Sequence, residues 1–261
     1  MTVYADLIRY RELFGNLFRR DLQAKYKGSA LGIVWVLLPP LVLMAVYLLV
    51  FRVLWRATVP HYALYLLAGL ASWIFFATTI QAGSRAMLDN APLIRKTRFP
   101  RQLVAFSVVG TNLVTYVVML AILVVLCFVF IPASRTTGLI ALPLAVLFVG
   151  LVTGVALMLA SLNVLFRDVE HLVAALLLPW FFLTPVLWEP ASQFKGHDRI
   201  LAVLHYGNPI TPPVQAIRDP LWAGRVPRLA DVVYLVVATA VALALGAWTF
   251  RRVDDRIAVE L

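Results

Sequence analysis

Residues 102–130 read QLVAFSVVGTNLVTYVVMLAILVVLCFVF, 29 positions without one Asp, Glu, Lys or Arg. A hydrocarbon core about 30 Å thick takes roughly 20 helical residues to cross. The stretch is long enough to span a bilayer and too apolar to coat a soluble domain. Working outward, five more windows also lack charge: 31–51, 62–83, 138–163, 172–188 and 232–250. Backbone groups in lipid must bond internally, so these six windows are expected to be helices. The window 172–188, carrying Pro179 and Pro185, is the short one. In the window 31–51, Pro39–Pro40 removes two helix bonds and should open carbonyls near Trp35 and Val36.

The whole chain agrees with that stretch. Of its 261 residues, 62% are hydrophobic and 14% charged, against about 25% charged in a soluble domain. That composition excludes an ordinary cytosolic enzyme and a disordered scaffold. A single cysteine, Cys127, excludes an intrachain disulfide and a cysteine-built zinc site. The histidines His61, His171, His197 and His205 have no metal-ligand spacing, so no metal site is expected. The net charge of +10 would suit nucleic acid on one soluble face, but here the cations lie between apolar runs, so no nucleic-acid partner is expected. Early Arg and Lys residues, with no apolar run among them, give no sign of a cleavable leader.

Cation placement sets orientation. Segments 1–30, 84–101, 164–171 and 251–261 hold 15 Lys and Arg, against 8 in the alternate segments 52–61, 131–137 and 189–231. The positive-inside rule therefore predicts cytoplasmic termini and an external 189–231 loop. That loop includes the stretch 199–224, with Pro209, Pro212, Pro213 and Pro220 among apolar pieces too short to cross, which fits short re-entrant helices at the outer mouth. Segment 1–30 carries Tyr10, Leu13, Phe14, Leu17 and Phe18 at helical spacing opposite Arg19, Arg20 and Gln23, with Asp21 an exception on the apolar arc. It reads as an amphipathic helix lying against membrane lipids. Segment 84–101 presents Leu93, Ile94 and Phe99 among basic residues, with Ser84 placed to cap a short helix that Pro92 ends. Such apolar side chains on a basic loop suit a partner surface. In the loop 166–171, Arg167, Asp168 and Glu170 suit a local salt bridge. No repeat or linker divides the chain, so 1–261 reads as one membrane domain.

Much chemistry is missing. No lysine stands in a GxxxxGK[ST] phosphate loop, so the chain should not hydrolyse nucleotide itself. The windows hold no carboxylate or cation for proton or sodium coupling. They offer aromatics instead, whose faces suit the apolar C–H faces of sugar rings.

Four stretches carry a resemblance. Residues 19–51, RRDLQAKYKGSALGIVWVLLPPLVLMAVYLLVF, resemble the opening of the membrane subunits of polysaccharide ABC exporters, with Ser29, Leu31, Gly32, Trp35 and Pro39 at matching positions. LIRKTRFPR (93–101), LNVLFRDVEHL (162–172) and NPITPPVQAIRDPLWAG (208–224) follow in the same order. The resemblance implies an all-α fold of six spans in the bacterial cytoplasmic (inner) membrane, with both termini cytoplasmic. It implies a homodimer with two copies of a separate ATPase, which binds the ATP and magnesium, this chain needing no cofactor of its own. The cargo implied is an undecaprenyl-linked glycan such as O-antigen, teichoic acid or galactan. Segments 84–101 and 166–171 would dock the ATPase, through Asp89, Asn90, Leu93, Ile94, Arg95, Lys96, Arg167 and Asp168. An aromatic conduit would use Tyr47, Trp73, Phe76, Tyr116 and Phe181. The alternatives are a drug or small-lipid exporter of the same fold, which commonly carries a larger outer domain, and, from another class, a membrane-embedded glycan-processing enzyme.

Overall fold

The computed structural model describes residues 3–26, 34–54, 59–96, 99–189 and 198–260. Ser29, Leu31 and Gly32, and residues 55–58, lie outside the described residues. Among those described, all regular structure is helical. Helices α1 (Ala5–Arg9) and α2 (Arg11–Tyr26) precede α3 (Val34–Tyr47), which runs on as a π-helical segment, Leu48–Leu54. Then come α4 (Tyr62–Asp89), α5 (Ala91–Lys96), α6 (Gln102–Phe130) and α7 (Ser134–Thr137). A 3₁₀ turn leads into α8 (Ala141–Leu165), followed by α9 (Val169–Leu183). Two short helices, α10 (Asp198–Tyr206) and α11 (Thr211–Arg218), precede the long α12 (Leu229–Glu260).

Four helical runs are long and apolar enough to cross a membrane: Tyr62–Asp89, Gln102–Phe130, Ser134–Leu165 and Leu229–Asp254. The chain is a multi-pass membrane protein. The windows at 31–51 and 172–188 appear as shorter apolar helices, Leu38–Phe51 and Val169–Leu183. Fifteen residues of α9 rise only about 22 Å, and Pro185 follows its last turn. Pro39 and Pro40 lie inside α3, which continues through them.

Helix α8 packs chiefly on α12, and small residues make that possible. A Cβ on Gly154 would overlap the Ala242 backbone, and one on Gly246 would reach the Gly154 carbonyl. Thr239 Oγ1 also donates to the Leu147 carbonyl at 3.0 Å. Lipid offers helices no hydrophobic drive to associate, so close backbone approach supplies the contact.

The basic segments gather at one end. There Gln102 donates to Asp6 at 2.6 Å, Arg20 to Asn90 at 2.6 Å, and Arg101 pairs with Asp254 at 3.0 Å. At the other end Trp222 donates to the Pro60 carbonyl at 2.8 Å and Thr137 to that of Pro220 at 2.8 Å. The two sets of alternate segments thus meet at opposite ends of the bundle.

Two local expectations need correction. Ser84 caps nothing: it lies inside α4, 1% exposed, and donates to the Gln81 carbonyl. The helix therefore runs on to Asp89, and Pro92 falls in the first turn of α5, where its missing N–H costs nothing. Helix α2 rests on protein as well as facing outward. Phe14 and Phe18 pack over Gly110 of α6, and Asp21 accepts from Ser107 at 2.6 Å and from Arg20. A carboxylate on the apolar arc is tolerated because α6 supplies a hydroxyl there. Tyr4, just before α1, donates to the Leu243 carbonyl at 2.6 Å, and burial pushes its phenol up to about 12.

Candidate functional site

The candidate docking residues lie at the end where the basic segments meet. Asp89 closes α4 with its side chain 58% exposed, 3.8 Å from Arg85. Asn90 forms the turn into α5, donating to the Ala86 carbonyl while accepting from Arg20. Arg95 and Lys96 are exposed. Leu93 and Ile94 do not form the open apolar face expected of them. Ile94 is 7% exposed and joins Val3, Leu17, Met87 and Leu103 in a buried cluster, with Leu93 packed against it. A six-residue amphipathic helix has one apolar stripe, and its own chain takes that stripe.

Arg167 and Asp168 are exposed in the turn between α8 and α9. The expected local bridge with Glu170 does not form among the described residues. Glu170 instead faces Arg85 at 3.6 Å and is held by Asn163, whose Oδ1 accepts the Glu170 N–H at 3.0 Å. The two proposed docking segments are therefore neighbours, joined through Arg85 and Glu170. Sequence reading passed over Arg85 and Asn163. Nothing in their spacing pairs them with position 170, because the contact is made by the packing of α4 beside α8.

The aromatic candidates fall into two groups. Tyr47 stacks on Phe181 with ring centroids 5.8 Å apart, Trp73 meets Phe181 at 5.4 Å and Phe76 at 5.6 Å, and Phe76 meets Trp180 edge-on. Tyr116 belongs elsewhere, stacked on Phe75 at 4.8 Å and close to Phe148. Trp73, Phe76, Tyr116 and Phe181 are all buried within this one chain, and Tyr47 is half-buried. Phe182, beside Phe181, is 56% exposed. So the spans bring four of the five rings together, and most of those rings are covered by their own neighbours.

The opposite end holds a clamp that sequence reading missed. Arg218, wholly buried, lies 3.9 Å over the Tyr65 ring and donates to the Pro185 carbonyl at 2.8 Å. A desolvated cation over an aromatic face is worth about 2 kcal/mol. Its guanidinium fills the space beside Gly69, where a Cβ would overlap it. Tyr62 and Tyr65 donate to the carbonyls of Leu187 and Trp188 at 2.7 and 2.6 Å. Asn208 accepts from Trp180 at 2.8 Å and donates to Thr184 at 2.9 Å. The residues just after α9 are thus tied to α4 and α11. The Arg218–Asp219 pair inside an apolar stretch was the available signal, since charges there are buried only when partnered.

Comparison with known proteins places these features. The model of the ABC-2 type transporter family matches residues 12–222. The chain is 34% identical over 239 residues to the O-antigen export system permease protein RfbA of Myxococcus xanthus, covering 91% of each. It is 30% identical over 209 residues to the protein of the same name from Klebsiella pneumoniae, covering 80% of this chain and 79% of that one. The polysialic acid transport protein KpsM of Escherichia coli is 22% identical over 244 residues, 92% of each.

Proposed function

The chain belongs to the ABC-2 type transporter family of membrane proteins, and on that premise we propose that it is the transmembrane subunit of an ATP-driven exporter carrying a lipid-linked polysaccharide across the bacterial cytoplasmic membrane. The likeness to O-antigen export permeases over nine-tenths of both chains carries this reading. Among the glycans the resemblance implied, the named relatives favour O-antigen over teichoic acid or galactan.

Two copies of this chain pair with two of an ATPase, which binds ATP and magnesium. Both termini face the cytoplasm, and α3, α4, α6, α8, α9 and α12 make six crossings. The meeting of alternate segments at opposite ends supports that count. The short α10 and α11 form the re-entrant outer region. Asp89, Arg95, Lys96, Arg167 and Asp168 take the ATPase contact, their exposure at one end supporting the role. Asn90, Leu93 and Ile94 hold α5 in place for it. Glycan contact in the conduit falls first to Tyr47 and the neighbouring Phe182, with Trp73, Phe76 and Phe181 shaping the wall behind them. Tyr116 serves the packing of α4 on α6 and α8.

Depletion of this chain in its host tests the reading. Lipid-linked glycan should accumulate on the cytoplasmic side while surface glycan falls, and a plasmid copy should restore both. Unchanged surface glycan on depletion would refute it.

A further inference from the structure

A cavity of about 400 Å³ opens among the start of α4, Glu189 after α9, α10, α11 and the segment 219–228. It belongs neither to the docking end nor to the aromatic cluster. Its walls include His61, Glu189, Gln215, Trp222, Arg225 and Arg228, and its volume falls within the range of small-ligand sites.

Several of these groups are fixed in advance. Trp222 is pinned by its hydrogen bond to the Pro60 carbonyl and by an edge-on contact with Tyr65 at 5.0 Å. Arg225 is held by two bonds to Asp219, at 3.1 and 3.0 Å, and that carboxylate is 1% exposed. Gln215 donates to the same carboxylate at 2.7 Å. The Arg225 side chain is still 54% exposed, so N–H donors remain for a ligand. The Arg228 side chain is exposed and makes no hydrogen bond or ion pair among the described residues, its backbone carbonyl alone accepting from Asp231 and Val232. An aromatic wall beside both acceptors and charged donors is the chemistry of a sugar site rather than of an apolar groove. Under the proposed orientation this cavity lies on the outer side. There Arg225 and Arg228 run against the charge bias that topology alone would leave.

We propose that this cavity binds a saccharide unit at the outer exit, with preference for a sugar bearing an anionic substituent. The inference rests on the export reading for its orientation. The Trp222 ring takes the sugar face, Glu189 and Gln215 accept from hydroxyls, and Arg225 and Arg228 hold the anionic group.

Titration calorimetry on the full chain in detergent tests this, with a galacturonic acid trisaccharide, a galactose trisaccharide and inorganic phosphate as probes. The acidic trisaccharide should bind about tenfold more tightly than the neutral one, as a charge-assisted hydrogen bond gives. Arg228→Gln should bring the two within about twofold, and Trp222→Leu should weaken both. Because the Arg228 side chain makes no hydrogen bond or ion pair among the described residues, and its variant keeps the backbone bonds, that variant keeps the test open even if Trp222→Leu fails to fold. Absence of saccharide binding, equal affinity for the two trisaccharides, or an unaffected Arg228→Gln variant would overturn the proposal. So would phosphate binding as tightly as the acidic sugar. Depletion of the chain reads out export without reference to this cavity, so the two ideas fail separately.

Discussion

Ile94 and Lys96 sit two positions apart on α5 and do different work. Ile94 is buried among Val3, Leu17 and Leu103, whereas Arg95 and Lys96 are exposed. Truncating a buried isoleucine usually costs about 2–5 kcal/mol. Ile94→Ala should therefore lower the melting temperature and the yield of the purified chain, measured by thermal unfolding in detergent. Replacing Arg95 and Lys96 with Glu touches no buried contact, and such surface changes usually stay within about 0.5 kcal/mol. That double variant should melt normally yet recover less ATPase in co-purification. A normal melt for Ile94→Ala would contradict the burial assigned to it, and full ATPase recovery by the double variant would remove the docking role. The composition of segment 84–101 made a docking surface legible, but not which side chains serve it. Apolar residues on a loop read the same whether a partner or the chain itself covers them.

At the scale of elements, the contact of α8 with α12 makes the sharpest claim. Gly150 and Gly154 form a small-residue repeat along α8, and Ala242 and Gly246 answer it on α12. In lipid such spacing marks helices that approach closely. Gly154→Ala should destabilise the protein by about 1–3 kcal/mol, since the added Cβ meets backbone that cannot swing aside. Gly15→Ala is the matched control, because nothing lies within 4 Å of a Cβ there, and the change should be neutral or stabilising by up to about 1 kcal/mol. Equal melting temperatures for the two variants would contradict the packing. The long uncharged windows at 62–83, 102–130, 138–163 and 232–250 were legible because charge is excluded from lipid-spanning helices. Those at 31–51 and 172–188 were harder to read, since prolines and length blur a crossing helix into a buried one. The Arg85–Glu170 contact was not legible at all, and the Arg218 clamp left only the signal of charges inside an apolar stretch, with none of its partners. Each joins residues brought together by the packing of whole helices.

For the whole molecule, orientation follows from the two ends. Asp89 lies at the basic end and is exposed, whereas Val226 is 68% exposed at the other. In a chain with Cys127 replaced by Ala, Asp89→Cys should react with an impermeant thiol reagent only in inverted vesicles. Val226→Cys should react only in intact cells, and the reverse pattern at both would contradict cytoplasmic termini. The export reading makes transport depend on a partner ATPase, as membership of the ABC-2 type transporter family implies. The most direct measurement is reconstitution of this chain with its ATPase in proteoliposomes loaded with lipid-linked O-antigen. ATP should move glycan to the opposite face, and an ATPase variant unable to hydrolyse ATP should abolish that movement. Movement at the same rate without hydrolysis, or none with the active ATPase present, would contradict the account.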